Sequence, residues 1–482
     1  MTSTVTVAPS SVERVRGDHW VNENGTSFKN PWKSFGNYGG LAIAKIVPTM
    51  MWKKLTYNDP AAKDAKNRIP YIKPTFGSQI PSNELKVTWL GHACALIELP
   101  SREDGEAGLK GRGVRILFDP VLSDTQAYGF GPKRLSTNPC KIEDLPEVDA
   151  IAISHNHYDH LDLPSLKGIF EDQKAKYGKL PKLFLPLNNY HVVTGLSLGR
   201  ENVIEMDWFE DREVSVQGVG DIKITCTPSQ HTASRVGWDK DNSLWSSWAI
   251  KDNHSKASVW FGGDTGYCTM KIDSHKLEDV PAEGVCPAFK EIGERLGPFT
   301  VGLIPIGAYE PRTMFSPAHA APIDSVRIFK DTKCQNAIGI HWGTFQMTFE
   351  PFTEPPERLK VAAKTIGLKE DDFIVVALES NAPAEGDTFT AFQANAIGGN
   401  STSSNPTGLA SITSTSPSTS TSSSSPSSTS SFSSKDDTDL SDTSADSTTS
   451  SFASSSTTFV TTGNSGTTNG TASGASDSAA YK

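Results

Sequence analysis

Short apolar runs that end in polar residues recur through most of the chain. The runs Leu85–Trp89, Ala95–Leu99 and Val114–Phe118 have the length and composition of buried β-strands. Helical patterns lie between such runs, for example Leu163–Tyr177, which has a proline in its first turn, and Pro322–Asp331. Because strands alternate with helices, the pattern predicts a layered α/β domain, without fixing the order of the layers.

The apolar run 148–153 leads into the most informative string of the sequence. It is followed by His155-Asn156-His157-Tyr158-Asp159-His160, which places three imidazoles and a carboxylate in one turn. Neutral imidazole and ionised carboxylate are the ligands that borderline divalent ions such as zinc prefer. His155 and His157 can reach one ion from a tight loop, and Asp159 and His160 can turn toward a second ion.

Three further apolar runs end at a residue of a metal-binding type. These residues are His231, Asp264 and His341, after the runs 222–227, 258–261 and 337–340. A single histidine or aspartate at a strand end usually has a structural role, but four strand ends that carry seven such residues are hard to attribute to packing. Seven ligands suit two ions that share one carboxylate, so the sequence predicts a binuclear metallohydrolase.

The order His-x-His-x-Asp-His, then His231, Asp264 and His341, resembles the metallo-β-lactamase superfamily. Longer strings resemble one branch, the N-acylphosphatidylethanolamine-hydrolysing phospholipase D family, from about Phe28 to about Glu379. The strings include Thr88-Trp89-Leu90-Gly91-His92-Ala93, Phe118-Asp119-Pro120-Val121, Glu205-Met206-Asp207-Trp208, Pro305-Ile306-Gly307-Ala308-Tyr309-Glu310-Pro311 and Ile340-His341-Trp342-Gly343-Thr344-Phe345. The resemblance implies a four-layer αββα sandwich with a metal site along one edge.

The resemblance also implies a ligand set and a reaction. One Zn²⁺ would be held by His155, His157 and His231, a second by Asp159, His160 and His341, with Asp264 bridging the two. A hydroxide shared by the two ions would attack the phosphorus of N-acylphosphatidylethanolamine, which gives N-acylethanolamine and phosphatidic acid. Asp159 and Asp264 are accordingly expected to be catalytic as well as metal-binding.

Other candidate site residues follow from the same resemblance. His319 matches a functional histidine of the family and is expected to act as a general acid or to position the phosphate. Arg235 could hold the phosphate or headgroup through two hydrogen bonds, although a surface salt bridge is an alternative. Tyr158 and Tyr309 are assigned to substrate binding, and His92 is expected to be a packed, hydrogen-bonded core histidine.

The chain departs from the family pattern near the expected bridging residue. About eighteen extra residues, 268–285, separate Tyr267 from Cys286-Pro287-Ala288-Phe289. Such an insertion could be a lid, a lipid-facing loop or a tolerated surface excursion. Thr232 and Ala318 also depart from the usual residues, which leaves the acyl-chain and headgroup preference open while all seven ligand residues are present.

The composition changes near residue 395. The segment 395–482 is mostly Ser, Thr, Gly, Ala and Asn and is predicted to be disordered, because it cannot bury enough apolar area to offset its chain entropy. It carries two lysines and six aspartates, so −6 of the net charge of −10 belongs to the rest of the chain. An acidic folded part argues against nucleic-acid binding, which depends on neutralising phosphates.

The regions are therefore predicted as a flexible N-terminus (1–27), an N-terminal arm (28–84), a hydrolase domain (85–385) and the Ser/Thr-rich tail (395–482). Within the arm, the apolar stretch 41–52, followed by Lys53 and Lys54, is too short to span a bilayer. It could lie in a membrane interface or pack on the domain or on a dimer partner. The family implies a membrane phospholipid substrate, peripheral membrane contact and a homodimer.

The six cysteines show no paired spacing, and the first thirty residues contain no apolar signal segment. We therefore expect reduced thiols and an intracellular, non-secreted protein at a membrane surface. Arg14 and Arg16, together with the Ser/Thr content, give a weak mitochondrial presequence character, which Glu13 and Asp18 oppose.

Alternative functions have different requirements. A β-lactamase is disfavoured because those enzymes lack the carboxylate that Asp264 supplies, and a tRNA-processing nuclease needs a basic surface. A lactonase or other small-ester hydrolase is the strongest enzymatic rival. From another class, the chain could be a non-catalytic scaffold whose Ser/Thr tail recruits partners, but a scaffold has no need to keep the whole ligand set.

Overall fold

The computed structural model describes residues 4–10, 14–36, 48, 52, 55–69, 73–102, 111–127, 129–376 and 389–392. The strands among these residues are β1 Val5–Val7, β2 Leu85–Trp89, β3 Ala95–Glu98, β4 Arg115–Phe118, β5 Thr125–Ala127, β6 Phe130–Lys133, β7 Ala150–Ala152, β8 Lys182–Pro186, β9 Val203–Met206, β10 Asp211–Val216, β11 Gly220–Thr227, β12 Ser247–Asp252, β13 Ser258–Phe261, β14 Phe299–Pro305, β15 Cys334–Ile340, β16 Phe373–Ile374 and β17 Phe389–Phe392. The α-helices are α1 Pro60–Lys63, α2 Ala65–Arg68, α3 Leu163–Tyr177, α4 Tyr190–Val193, α5 Ala288–Arg295, α6 Arg312–Phe315, α7 Pro322–Asp331 and α8 Glu354–Thr365. Short 3₁₀ turns lie at Ile142–Asp144, Thr194–Leu196 and Arg200–Asn202.

The strands form two large sheets and a small ribbon. One sheet has eight strands in the order β1-β10-β11-β12-β13-β14-β15-β16, and the other has seven in the order β17-β2-β3-β4-β7-β8-β9. Strands β5 and β6 make the two-stranded ribbon. The strand predictions at 85–89, 95–99 and 114–118 are confirmed as β2, β3 and β4, each to within one residue.

The inner faces of the two sheets pack on each other. Phe118 of the seven-stranded sheet stacks on Phe261 of the eight-stranded sheet with ring centroids 4.4 Å apart, and Phe184 meets Trp248 edge to face. Burial of each such aromatic side chain contributes about 1.5–3 kcal/mol. The sequence supplies this core because β-strands that are covered on both faces are rich in apolar residues, as β13 and β14 are.

Helices cover the outer face of each sheet. Helix α3 buries Leu166, Ile169 and Phe170 in a second core shared with the seven-stranded sheet. Helix α7 packs on β14 and β15 of the other sheet and on the neighbouring helix α8. Both predicted helices begin and end where the sequence pattern placed them, α3 stopping at Gly178, which has a positive φ of 67°. The predicted αββα sandwich is therefore confirmed.

Strand direction brings the predicted site loops to one edge of the sandwich. Strands β4, β7, β8 and β9 are parallel to one another, and so are β13, β14, β15 and β16. Strand β11 runs in the same direction as β13, because β12 is antiparallel to both. The loops after β7, β11, β13 and β15, which carry the seven candidate ligands, thus leave their sheets at carboxyl ends.

The described parts of the N-terminus differ from the prediction of a flexible segment. Strand β1 adds to the edge of the eight-stranded sheet by pairing with β10. His19 Nε2 donates to Asp207 Oδ1 at 2.7 Å, and Trp20 Nε1 donates to Asp207 Oδ2 at 2.9 Å. The His19 ring also stacks on Trp208, with centroids 4.2 Å apart. These contacts are between residues nearly two hundred positions apart, so no local pattern predicts them.

At the other end of the domain, β17 pairs with β2, beyond the predicted boundary at residue 385. The Ser/Thr-rich segment 395–482 and most of the stretch 41–52 lie outside the described residues. Among the residues that are described, no helix is long and apolar enough to cross a membrane.

The insertion 268–285 packs beside helices α6 and α7. The Arg312 guanidinium donates to the Ser274 carbonyl, and the Arg327 guanidinium donates to the Leu277 carbonyl. His275 Nε2 lies 2.6 Å from Glu310 Oε1. Of the three predicted possibilities, these contacts fit a surface excursion anchored on the domain.

Candidate metal centre

The loop 155–160 lies between β7 and α3, and the Arg235 side chain stabilises it through hydrogen bonds to its backbone. The Arg235 Nη1 donates to the carbonyls of Asn156 at 2.9 Å and Leu161 at 3.0 Å. Within the loop, the backbone N–H groups of His160 and Leu161 both donate to the His157 carbonyl. This bracing fixes the direction of the side chains that leave the loop.

Three imidazoles converge in a first cluster. His155 Nε2 lies 2.8 Å from His157 Nδ1, and His231 Nε2 lies 3.2 Å from the same His157 atom. His155 and His231 are buried, whereas His157 is partly exposed. Three ring nitrogens that face one another at these distances form a plausible ligand set for one cation.

A second cluster contains Asp159, His160 and His341. His160 Nε2 lies 3.5 Å from Asp159 Oδ2, and His341 Nε2 lies 3.8 Å from that same oxygen. Ligand atoms of these three residues, together with one from His92, lie within 4.8 Å of one another. This group can hold a second cation.

Asp264 lies between the two clusters. Its Oδ1 is 2.9 Å from His341 Nε2, and its Oδ2 is 3.2 Å from His160 Nε2 and 3.8 Å from His231 Nε2. The carboxylate therefore contacts nitrogens of both groups, which is the position that a shared ligand requires.

Glycine makes this close approach of the two sheets possible. Gly263, directly before Asp264, has a φ of +57°, and a Cβ built there would lie only 2.5 Å from the Cβ of Ser154. Any other residue would push the Asp264 loop away from the loop that follows β7. The His341 N–H, which donates to the His92 carbonyl at 2.9 Å, ties the sheets together on the other side of the cluster.

Hydrogen bonds fix which nitrogen of each ring faces the cluster. His160 Nδ1 donates to Asp119 Oδ2 at 2.7 Å, and His231 Nδ1 donates to the Ala318 carbonyl at 2.8 Å. Ser154 Oγ donates to Asp119 and so accepts from His155 Nδ1 at 2.9 Å. In all three rings the Nε2 atom is therefore the nitrogen that faces the cluster.

Two residues with clear roles were not predicted as part of the site. Asp119, fully buried at the end of β4, orients His160 and Ser154, and His92 Nε2 donates to Asp159 Oδ2 at 3.0 Å. Each residue follows a predicted strand and lies in one of the strings that resemble the family. That position could have indicated a role in the site. His92 is buried and hydrogen-bonded as expected, but its partner is a candidate metal ligand.

The electrostatics of the two clusters differ. Burial lowers the pKa of His155 and of His231 well below the ordinary value, so both rings are neutral, the form that binds metal. Burial also opposes protonation of His341, but Asp264 and Asp159 raise its pKa to about 9. The two carboxylates of the second cluster therefore stabilise positive charge placed between them.

Three buried polar atoms of the cluster have no hydrogen-bond partner among the described residues. His160 Nε2, His341 Nε2 and Asp264 Oδ1 are buried and make no hydrogen bond with acceptable geometry, although they lie close together. Buried polar atoms without partners are costly unless a ligand satisfies them. A divalent cation coordinated by these atoms would remove that cost, so the residues present fit a metal ion, and the assignment of individual ligands stays a prediction.

His319 lies at the rim of the cluster. Its Nδ1 is 3.8 Å from Asp264 Oδ2, and its ring is in contact with those of His231 and His341. The side chain is 16% exposed, whereas His341 beside it is closed to solvent. Burial lowers the pKa of His319 to about 4, so the ring is neutral at pH 7 in the metal-free site.

An apolar groove runs along the loop that carries His155, His157, Asp159 and His160. It has a volume of about 640 Å³ and is lined mainly by Tyr158, Leu161, Leu163, Pro164, Leu196 and Arg235. The Arg235 guanidinium lies over the Tyr158 ring, 4.0 Å from its centroid. Arg235 and Tyr158, two of the predicted substrate-binding residues, thus lie together at the groove, and their predicted role is not tested by these contacts.

Tyr309, the third predicted substrate-binding residue, does not join them. Its side chain is completely buried, its hydroxyl donates to Glu354 Oε2 at 3.0 Å, and its ring packs against His275. The position differs from the prediction because the tyrosine offers no accessible hydroxyl to a substrate. Its apolar ring and satisfied hydroxyl instead make it part of the packing between α8 and the insertion.

Polar side chains of the N-terminal arm form hydrogen bonds with the loop that carries His231. Asn30 Nδ2 donates to the His231 carbonyl at 2.7 Å, and Ser34 Oγ donates to Gln230 Oε1 at 2.6 Å. Trp32 stacks on Trp208 with centroids 5.4 Å apart. The arm therefore holds the loop that presents His231.

We expect His92→Ala to weaken metal binding about 10–100-fold while leaving two ions per chain at saturating metal. The hydrogen bond to Asp159 orients that carboxylate, and loss of such a supporting contact typically has this effect. Competition with a chromophoric chelator measures the change. His92→Gln, which keeps an N–H donor, should lose less. Loss of one whole ion at saturating metal would instead identify His92 as a ligand.

The chain is similar in sequence to several known proteins. A family model described as a β-lactamase superfamily domain matches residues 114–342. The chain is 34% identical over 362 residues to N-acyl-phosphatidylethanolamine-hydrolyzing phospholipase D 1 of Caenorhabditis elegans, which covers 73% of this chain and 91% of the worm protein. It is 32% identical over 343 residues to an uncharacterised protein of Mycobacterium tuberculosis, covering 68% and 80% respectively.

A third relative carries a location in its name. The mitochondrial N-acyl-phosphatidylethanolamine-hydrolyzing phospholipase D of Saccharomyces cerevisiae is 33% identical over 285 residues, which are 59% of this chain and 53% of the yeast protein.

Proposed function

The chain belongs to the N-acylphosphatidylethanolamine-hydrolysing phospholipase D family of metal-dependent hydrolases, and from this premise we propose that it hydrolyses N-acylphosphatidylethanolamine to N-acylethanolamine and phosphatidic acid. The observation that supports the proposal most strongly is the position of Asp264 between two groups of imidazole nitrogens. The groups suit two metal ions, which we propose to be Zn²⁺ because imidazole and carboxylate dominate the set.

Two bound divalent ions would lower the pKa of a water molecule and offset the negative charge of a phosphodiester. His155, His157 and His231 would hold one ion, and Asp159, His160 and His341 the other. Asp264 would fix the separation of the two positions, because its oxygens face nitrogens of both groups.

The remaining residues of the chain have assignable tasks in this reaction. The water oxygen joins phosphorus after losing a proton, the bond from phosphorus to the ethanolamine oxygen breaks, and the leaving oxygen takes up a proton, which balances the one that the water lost. His319, at the accessible rim of the cluster, is placed to donate a hydrogen bond to that oxygen or to the phosphate, and because its ring is neutral at pH 7 it can transfer a proton only if the bound substrate raises its pKa. Arg235 braces the loop 155–160 and, with Tyr158, forms the start of a groove that suits an acyl chain.

The partners follow from the same proposal. The substrate is a membrane phospholipid, so the protein would work at a membrane surface, and the name of the yeast relative suggests the mitochondrion. Trp52 is 69% exposed and Leu55 is 81% exposed, which supports a membrane contact by the N-terminal arm. A homodimer is proposed on family grounds alone.

The test is mass spectrometry of lipid products from purified, zinc-loaded protein given N-acylphosphatidylethanolamine in mixed micelles. We expect phosphatidic acid and N-acylethanolamine in equal amounts, and neither product from Asp264→Asn. Absence of both products from protein that holds two ions per chain would contradict the proposed substrate. Activity on lactones or small phosphodiesters would then identify the alternative hydrolase function.

A further inference from the structure

A surface loop close to the metal centre exposes two apolar side chains. Trp238 is 86% exposed and Val236 is 46% exposed. They follow His231 by only a few residues, in the segment between β11 and β12. Tryptophan is enriched where one part of its ring meets an apolar phase and the other stays in water, so its surroundings decide what this exposure means.

The loop is built to hold these side chains in position. The Asp239 carboxylate accepts hydrogen bonds from Ser234 Oγ at 2.7 Å and from the backbone N–H groups of Arg235 and Val236. Gly237 at the tip has a φ of +84° with open space around it, and its N–H donates to Ser234 Oγ at 3.2 Å. The turn is thus closed by its own hydrogen bonds, and Trp238 projects from an ordered support.

The exposed pair is continuous with the apolar groove. Arg235 lines the groove and is bonded directly to Val236, so the loop tip stands at the edge of the groove. Lys167 lies on the same lining with a side chain that is 66% exposed, and Lys240 is exposed two positions after Trp238. The two nearby carboxylates, Asp162 on the lining and Asp239 in the loop, accept hydrogen bonds from neighbouring residues of the chain. Apolar side chains with exposed lysines close by suit the boundary between the acyl chains and the anionic headgroups of a bilayer.

We propose that Val236 and Trp238 insert into a lipid surface and set the mouth of the groove against the bilayer. This inference rests on the proposed function, which needs a diacyl lipid to leave the bilayer for the metal centre. The size of the patch favours lipid over protein: one tryptophan buries at most about 250 Å², whereas a stable protein interface buries about 800 Å² on each partner.

A fluorescence experiment tests the docking without reference to activity. All six native cysteines are buried, so Trp238→Cys supplies a thiol that a polarity-sensitive fluorophore can label selectively. We expect a blue shift of the label on vesicles of phosphatidylcholine, phosphatidylethanolamine and phosphatidylglycerol. Val361→Cys is the matched control, because Val361 is 67% exposed on α8, in the helical layer opposite α3. No shift at position 238, or an equal shift at both positions, would overturn the proposal.

A double variant then connects docking to turnover. Val236→Ser with Trp238→Ser should lower vesicle binding in flotation assays by about tenfold or more, because both side chains lose apolar burial. Cleavage of N-acylphosphatidylethanolamine in vesicles should fall in parallel, while cleavage of the same lipid dispersed in detergent stays at the wild-type rate. Wild-type binding and vesicle turnover in the double variant would refute the docking role. If the wild-type protein cleaves the lipid in neither form, the proposed function fails, while the fluorescence shift still decides whether the loop docks.

Discussion

Asp264→Asn is expected to reduce turnover by at least about 1,000-fold and to lower the bound metal from two ions per chain to one or fewer. The substitution removes a negative charge and one coordinating oxygen from the only described side chain whose oxygens face nitrogens of both clusters. A 1,000-fold loss corresponds to about 4 kcal/mol of transition-state stabilisation. Metal analysis by mass spectrometry and steady-state kinetics on the same preparation measure the two effects.

The matched control is Asp252→Asn. Asp252 is also a buried aspartate, but it ends the antiparallel strand β12 and accepts hydrogen bonds at the opposite edge of the sheet. Metal content and turnover of this variant should equal those of the wild-type protein. If Asp264→Asn kept two ions and its activity, the proposal that Asp264 joins the two metal positions would be wrong.

His319→Ala is expected to keep both ions while turnover falls about 100–1,000-fold. His319 lies at the rim, 3.8 Å from Asp264 and partly open to solvent, so it can reach a substrate without being needed to hold metal. General acid catalysis contributes factors of this size. The measurement is kcat and KM on N-acylphosphatidylethanolamine in micelles, together with the metal content.

Two further variants decide what His319 does. His319→Gln keeps an N–H donor but cannot release a proton, so partial rescue would indicate that the residue positions the phosphate. No rescue would favour proton transfer to the leaving oxygen. His254→Ala is the control, since His254 is paired with Asp221 at the far end of β12 and should not affect turnover. Full activity in His319→Ala would show that the residue has no part in the reaction.

Much of the fold was predictable because its signals are local. Helix α3 has a proline in its first turn and stops at a glycine, β2 alternates apolar and polar residues, and β13 carries the apolar run Val259-Trp260-Phe261. Such patterns depend on near neighbours in the chain, so they can be recognised without knowing the partner element. The order of the layers was not available from the pattern, since an apolar strand does not specify which sheet it joins.

In the site, too, the residue types could be recognised from the sequence, whereas the contacts between them could not. The seven candidate ligands have distinctive residue types at strand ends, so sequence indicated them. The supporting contacts of Asp119 and His92 depend on loops that are far apart in the chain, and the burial of Tyr309 depends on α8 and the insertion. A residue type alone does not reveal which neighbour will satisfy its hydrogen bonds.

The sequence by itself determined the secondary elements, the chemistry at their ends and the family of this protein, because helix signals, strand runs and ligand types are written in consecutive residues. Only the tertiary structure decided that Asp264 lies between the two clusters and that Asp207 binds the N-terminal segment. It also decided that Asp119 orients His160 and that His92 orients Asp159. These features arise when parallel strands from two sheets end at one edge and Gly263 lets the loops approach closely. Distances across that edge depend on packing between residues distant in sequence, which no local pattern encodes.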